Sequence, residues 1–331
     1  MVGTMRAAVC RGYGPPDVVE VRHVPMATAG PDDVLIRVVA TSVSSGDARI
    51  RGANFPPGFG VLARTFLGIT RPRQPILGME VAGVVEAVGQ AVSRFKPGDR
   101  VFAFSGIGMG CHAEFKVMRE TAPIQLMPAG VSFEEAAVLS FGGTTALYFL
   151  RDVAKVKGGE RVLINGASGS VGSAAVQLAR HFGAHVTGLC SAANGDLVRS
   201  LGADAVIDYR AENFAARGEA WDVILDTVGS LSFPQCRPVL RPHGRLLLIA
   251  GGLGALLKAP VQSRLSGLII TGGTAPERCE DLAELKRIYE LGAFRPVIDR
   301  CFPLERIADA HARVDTGRKV GNVVVLVGGP S

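Results

Sequence analysis

Aromatic side chains are scarce in this sequence, 6% of 331 residues, and basic residues outnumber acidic ones only by 36 to 30. The basic residues are spread along the chain, densest at RPRQP, residues 71–75. A nucleic-acid groove needs a basic stripe interleaved with aromatics, so that role is set aside. The six cysteines (Cys10, Cys111, Cys190, Cys236, Cys279 and Cys301) include no C-x-x-C pair, which indicates neither a zinc lobe nor a disulfide framework. Reduced thiols in a cytoplasmic protein are the expectation. No apolar run reaches the length of a membrane span. MVGT runs directly into the strand-like MRAAVC, which leaves no room for a signal peptide.

What is present is a well-buried globular chain, 47% hydrophobic and 20% charged, long enough for about two domains. MRAAVC, VVEVRHV, DVLIRVVATSVS, EVAGVVEAVG and DRVFAF alternate or run apolar between GPPD, AGPDD and KPGD turns. That pattern predicts an antiparallel, barrel-like domain. Residues 51–75 interrupt it with a long Gly/Pro-punctuated stretch carrying Phe55, Phe59, Leu62, Phe66 and Leu67. Its apolar content argues against disorder, and a substrate-covering flap with a short helix at 60–67 is expected. From about residue 128 the rhythm changes. SFEEAAVLSFGGTTALYFLRDV has helical period, with Ser132 and Glu135 spaced as a capping box. RVLIN, SVGSAAVQLARHF, HVTGLC, GDLVRSLG, AVIDY, DVILDTVG, GRLLLIAGG and LSGLIITGG then set short apolar strands among helices, the signature of a parallel sheet wrapped on both faces. A helix over EDLAELKRIYELG and a closing strand over GNVVVLVG follow.

The chemistry is sought in RVLINGASGSVGSAAVQLARHFGAHVTGLC, residues 161–190. Ala167, Gly169 and Gly172 occupy the places of a G-x-G-x-x-G pattern, with Gly166 just ahead to help the turn. A strand precedes them, a helix follows, and a second strand lies beyond, which is the context a dinucleotide loop requires. Gly169 would admit a pyrophosphate close to the backbone, Gly172 would let helix and strand pack, and the amides of Ser168, Gly169, Ser170 and Val171 would face the anion. A bare strand–helix turn is the weaker reading. An acid normally ends the second strand to bind the ribose hydroxyls. Here Cys190 and Ser191 stand there, which tilts the cofactor toward NADPH, because a thiol and a hydroxyl, unlike an acid, do not repel a 2′-phosphate. No Lys or Arg occupies the adjacent turn, residues 192–194. Tyr209 and Arg210 either approach the adenosine end or are solvated surface residues.

Taken in order, LGMEVAGVVEAVG with FKPGDRV, SFEEAAVLSFGGTTAL, INGASGSVG, DVILDTVG, RPVIDRCFPLE and GNVVVLV resemble the medium-chain dehydrogenase/reductase superfamily, in its zinc-free quinone oxidoreductase branch. VTGLCSAANGDLVRSLGAD and RPRQPILGME resemble the sub-branch of chloroplast-envelope quinone oxidoreductase-like and reticulon-interacting oxidoreductases. The resemblance covers nearly the whole chain. It implies a chaperonin-10-like (GroES-like) barrel formed by residues 1–127 and 276–331, and a Rossmann domain of residues 128–275, with the cofactor in the cleft between them. It also implies a homodimer formed through an edge strand near Leu268–Thr271. Carried over by position, Thr145 lies near the nicotinamide, Val228 and Ala250, Gly251 and Gly252 line its pocket, and Asn322 sits where the C-terminal segment approaches the cleft.

Zinc-dependent relatives carry a Cys three residues before an Asp and a His before the Glu of a GHE motif. Here Ser44 precedes Asp47 and Met79 precedes Glu80, and neither a hydroxyl nor a thioether is a zinc ligand. Many family reductases place an Asn at the Ser44 position and a Tyr two residues after the Asp; this chain has Arg49 at the latter. The expected function is NADPH-dependent reduction of quinones or α,β-unsaturated carbonyl compounds. Ser44, Thr145 and Arg49 are candidate donors to the developing oxyanion, and Asp47 either orients its neighbours or caps the strand end. The rivals are an enoyl-thioester reductase and a non-catalytic NADPH-binding sensor.

Overall fold

The alternating N-terminal segments pair as antiparallel ladders in the computed structural model, which describes residues 3–328. Thr4–Cys10 pairs with Val19–Pro25 in a two-stranded sheet. A seven-stranded sheet runs in the order Ile298–Pro303, Asn322–Leu326, Asp33–Val43, Glu80–Val88, Arg100–Phe104, Ile124–Leu126, with Phe115–Arg119 also on Asp33–Val43. Register shifts at Leu35/Ile36 and Val38/Ala40 bend the central pair, the device by which a sheet curls toward a barrel. Among the described residues this unit takes in 3–55, Gly60–Phe141 and 277–328.

The second unit holds residues 56–59 and Gly142–Pro276. Its six strands are all parallel, in the order Ala205–Asp208, His185–Cys190, Arg161–Asn165, Trp221–Asp226, Leu240–Leu248, Ile269–Gly272. Val162, Leu163, Ile164, Val223, Ile224 and Leu225 are each 0% exposed, which is why these strands read as unbroken apolar runs. The order reverses between Arg161–Asn165 and Trp221–Asp226, and at such a switch point the carboxyl ends of the strands leave a crevice.

Three details differ from the sequence expectation. Residues 128–141 belong to the barrel unit, because Arg100 stacks over the Phe133 ring at 4.5 Å and the Phe141 amide donates to Glu80 Oε2 at 2.7 Å. The helical stretch after Ser132 is broken into Phe133–Ala136 and Ser140–Leu147, the latter passing into π-helical turns over Tyr148–Val153. Ser132 does accept the Glu135 amide, while the Glu135 carboxylate accepts instead from Tyr289 Oη at 3.2 Å. Finally, Leu253–Ser266 is a helix that the sequence conceals behind Gly254 and an internal Pro260. The short helix expected over 60–67 is present as Gly60–Leu67. Among the described residues no helix is long and apolar enough to cross a membrane.

Candidate functional site

The strand Arg161–Asn165 ends in a turn that only glycine can make at two places. Gly166 has φ +77°, and a Cβ there would meet Val228 Cγ2 at 2.5 Å. A Cβ on Gly172 would meet the Gly166 carbonyl at 2.0 Å, so this glycine sets the helix against the turn. Gly166 and Ala167 both donate their amides to Leu189 O, tying the loop to the neighbouring strand. Gly169 is different. It is the N-cap of the helix Ser170–His181, in extended backbone, and a Cβ there would meet only Gly166 O at 3.4 Å. The protein itself leaves room for a side chain at Gly169; a Cβ would occupy the space above the helix start.

No side chain caps that helix. Its first-turn amides, those of Ser170, Val171 and Gly172, have no intrahelical acceptor, and the positive end of the helix dipole lies with them. Ser170 Oγ is buried with no hydrogen-bond partner among the described residues. An uncapped helix start, an open glycine and an orphaned hydroxyl together fit a phosphate-bearing ligand. Gly142 on the preceding helix packs close, since a Cβ there would meet Ser170 Oγ at 2.6 Å. Thr145 lies half-buried one turn further along the same helix.

Around this loop the parallel sheet assembles a rim that sequence reading partly missed. Asn165 and Asp226 end adjacent strands in register, and Asn165 Nδ2 donates to Asp226 Oδ1 at 2.8 Å. The Asp226 carboxylate also accepts the amides of Val228, Gly229 and Leu231, at 3.1, 2.9 and 3.0 Å. This holds the turn that presses Val228 against Gly166. Gly229 in turn abuts Ala250, where a Cβ would meet the carbonyl at 2.4 Å, and Gly252 caps the helix Leu253–Ser266. Ala250, Gly251 and Gly252 are half-buried. The signal available in the sequence was a polar residue closing each of two apolar strands.

At the other end of the rim, Cys190 is buried and Ser191 half-buried. Burial, with the nearby Asp208 carboxylate, pushes the Cys190 thiol up to about 11, so it is neutral. Asp208 is the register partner of Cys190 and brings to this corner a carboxylate that sequence reading passed over, so the strand end is not free of a charge that opposes a 2′-phosphate. Asn194, in the turn that carries no Lys or Arg, donates from Nδ2 to Ser168 Oγ at 2.9 Å and so braces the glycine loop. Tyr209 is exposed, with the Arg210 guanidinium 5.6 Å from its ring centre.

Ser44, Asp47, Arg49 and Asn322 belong to the barrel unit. Ser44 caps the helix Ser45–Gly52 in a complete capping box with Asp47. Its Oγ donates to Asp47 Oδ2 at 2.6 Å, and Asp47 Oδ1 accepts the Gly78 amide at 2.9 Å. Asp47, 0% exposed, therefore orients both Ser44 and the chain entering Met79. Met79 Sδ lies 3.9 Å from Ser44 Oγ. Arg49 is half-buried and has no ion-pair partner among the described residues; burial holds its pKa below the ordinary value. Asn322 is buried and donates from Nδ2 to Val297 O at 2.9 Å. Glu80, not singled out as a site residue, is buried and pushed up to about 7 by desolvation, although Ser42 Oγ and the Phe141 amide both donate to it.

Residues 30–150 match the alcohol dehydrogenase GroES-like domain family and residues 201–325 the zinc-binding dehydrogenase family. The chain is 33% identical over 331 residues to a quinone oxidoreductase of Pseudomonas aeruginosa, covering 95% of this chain and 97% of the relative. The structure of the quinone oxidoreductase from Coxiella burnetii superposes with a TM-score of 0.88 at 27% identity, over 98% of this chain and 100% of that one. The CurK enoyl reductase superposes with a TM-score of 0.86 at 28% identity, over 97% and 99% of the two chains.

Proposed function

Because this chain belongs to the quinone oxidoreductase branch of the medium-chain dehydrogenase/reductase superfamily, and is thereby an NAD(P)H-dependent oxidoreductase, we propose that it reduces quinones or α,β-unsaturated carbonyl compounds with NADPH and without zinc. The observation that carries the cofactor reading is Gly169, a glycine that the fold does not need and a bound pyrophosphate does.

The bound nicotinamide supplies the hydride. The chain's residues hold and polarise the partners. The amides at the start of Ser170–His181 bind the pyrophosphate, Asn194 keeps Ser168 in place, and Ser191 donates to a 2′-phosphate. Val228, Ala250, Gly251, Gly252 and Thr145 shape the nicotinamide end. Arg49 is the donor for the developing oxyanion, because its guanidinium is half-buried and has no carboxylate partner among the described residues; one such donor is worth about 3 kcal/mol in the transition state. The Ser44 hydroxyl proton is committed to Asp47, so Ser44 and Asp47 act as positioning residues for the helix that carries Arg49. Zinc has no place in this reading. Where zinc relatives offer a thiolate and an imidazole, this chain turns a capped hydroxyl and a thioether toward each other.

A homodimer is part of the proposal. Ile269–Gly272 is the last strand of the parallel sheet, and the helix before it leaves Leu257, Val261 and Leu265 at 69%, 62% and 81% exposure. The likeness to CurK supports a second reading, reduction of enoyl thioesters. The test is a substrate screen that follows loss of NADPH against quinones, free enones and enoyl thioesters, with and without a chelator. Turnover of quinones or free enones, insensitive to the chelator, is expected. Turnover of thioesters alone would favour the second reading, and no turnover with any acceptor would make the protein an NADPH sensor.

A further inference from the structure

From Asp47 to Glu80 the intervening sequence contains no acidic residue and five arginines: Arg49, Arg51, Arg64, Arg71 and Arg73. Its middle is the helix Gly60–Leu67, none of whose residues is buried. Val61 is 81% exposed, Phe66 71%, and Ile69 just beyond the helix 71%. These side chains are held outward by a built hairpin. Tyr13 Oη donates to Gly68 O at 2.6 Å, and the Arg64 guanidinium lies 5.4 Å over the Tyr13 ring. The Arg73 amide donates to Leu67 O at 2.7 Å and its guanidinium to Thr65 O at 2.9 Å. Gly68, at φ +126°, permits the reversal, since a Cβ there would meet Arg71 O at 2.0 Å.

Beside the returning segment, residues 71–75, lies a cleft of about 320 Å³ whose cationic lining is Arg11, Arg22, Arg71 and Arg73. Glu20 pairs with Arg11 and Arg22, each at 2.8 Å. Arg71 and Arg73 have no carboxylate partner among the described residues. Apolar side chains of this size, fixed in water with uncompensated cations next to them, mark an interaction surface.

We propose that the hairpin docks on the anionic face of a lipid bilayer, with Val61, Phe66 and Ile69 entering the interface and Arg71 and Arg73 binding lipid phosphates. Charge complementarity selects this occupant. An anionic surface attracts a segment with no acidic residue, and an interfacial helix buries its apolar side chains just below the headgroups. A second copy of the chain would fit poorly, because a two-fold contact sets each patch against itself, arginine to arginine. One short helix gives reversible attachment, weakened by salt. The segment is the one expected from the sequence to cover the substrate; membrane docking gives its exposed side chains a different role and does not depend on the reaction proposed above.

The test is co-sedimentation of the full chain with phosphatidylcholine vesicles, with and without phosphatidylserine, at low and high salt. Wild type should bind the phosphatidylserine vesicles at low salt and leave them at high salt. Phe66→Ser/Ile69→Ser should weaken binding by about tenfold and Arg71→Gln by about fivefold while keeping the wild-type melting temperature, since these three side chains are exposed and take no part in the bonds that hold the segment. Equal binding by wild type and both variants would overturn the proposal. So would a failure of wild type to bind the phosphatidylserine vesicles at low salt; a change of oligomeric state in Phe66→Ser/Ile69→Ser would then make the patch a contact between copies.

Discussion

Asn165 and Asp226, ending neighbouring parallel strands, share a hydrogen bond of 2.8 Å, and through it the glycine loop and the turn beside it become one object. Asp226 accepts four donors while fully buried. Asp226→Ala should cost about 2–4 kcal/mol, because three backbone amides and the Asn165 amide lose their acceptor. Chemical denaturation measures that loss. Calorimetry on the surviving folded fraction should show NADPH affinity reduced, as Val228 loses its hold against Gly166.

The cofactor preference is testable at the end of the second strand. Cys190 is the wrong place to install an acid, since a carboxylate there would be buried beside Asp208. Ser191, half-buried at the head of the following turn, is the right one. Wild type should prefer NADPH by about tenfold, near 1.4 kcal/mol. Ser191→Asp should reverse the preference by repelling the 2′-phosphate and binding the ribose, and Ser191→Ala should weaken NADPH while sparing NADH. Dissociation constants for both cofactors at one ionic strength decide it.

Much of this site was legible in the sequence because it depends on backbone conformation. Gly166 and Gly172 are forced by a positive φ and a 2.0 Å approach, and such needs write themselves as glycines at fixed spacing. The strands were legible for a related reason: burial on two faces demands continuous apolar runs. What stayed hidden was side-chain partnership between distant segments. Asp226 with Asn165, Asn194 with Ser168, and Glu135 with Tyr289 are pairs separated by 61, 26 and 154 positions. The helix Leu253–Ser266 was hidden differently: Pro260 and Gly254 suppress the local signal, and its exposed leucines obscure the amphipathic period. Ser44 looked like a free donor until Asp47 was seen to hold its proton.

His311 is 0% exposed, and neither ring nitrogen has a hydrogen-bond partner among the described residues. Its ring meets that of His112 edge-on at 5.8 Å. Burial, then the charges of His112 and Arg51, hold its pKa well below the usual value, and His112 is lowered by burial as well. In the unfolded chain both titrate near the ordinary value of about 6.5. Below that pH the unfolded state takes up protons that the native state refuses, so stability falls as pH drops. Glu80, held near 7 in the folded protein, contributes in the opposite sense over the same range, so the decline due to His311 is read as the difference in denaturant midpoint between wild type and His311→Leu below about pH 6.5. His311→Leu should make the decline shallower; an unchanged slope would contradict the assignment.

The dimer face makes a separate prediction. Leu257→Asp/Leu265→Asp places two carboxylates on a helix face that is exposed in the single chain. Light scattering should report twice the chain mass for wild type and the single mass for the variant, with the fold retained. A wild-type monomer at micromolar concentration would exclude this face.

The most direct measurement of the central claim, that the glycine loop cradles a dinucleotide for hydride transfer, is Gly169→Ala. The backbone at 169 is extended, and the added methyl meets nothing closer than Gly166 O at 3.4 Å. The variant should therefore melt within about one degree of wild type, since an unstrained surface change shifts stability little. Its NADPH affinity should fall by about tenfold or more, because the methyl fills the space where a pyrophosphate approaches the helix start, and quinone reduction at limiting NADPH should fall with it. Unchanged NADPH affinity in a folded Gly169→Ala protein would contradict the account.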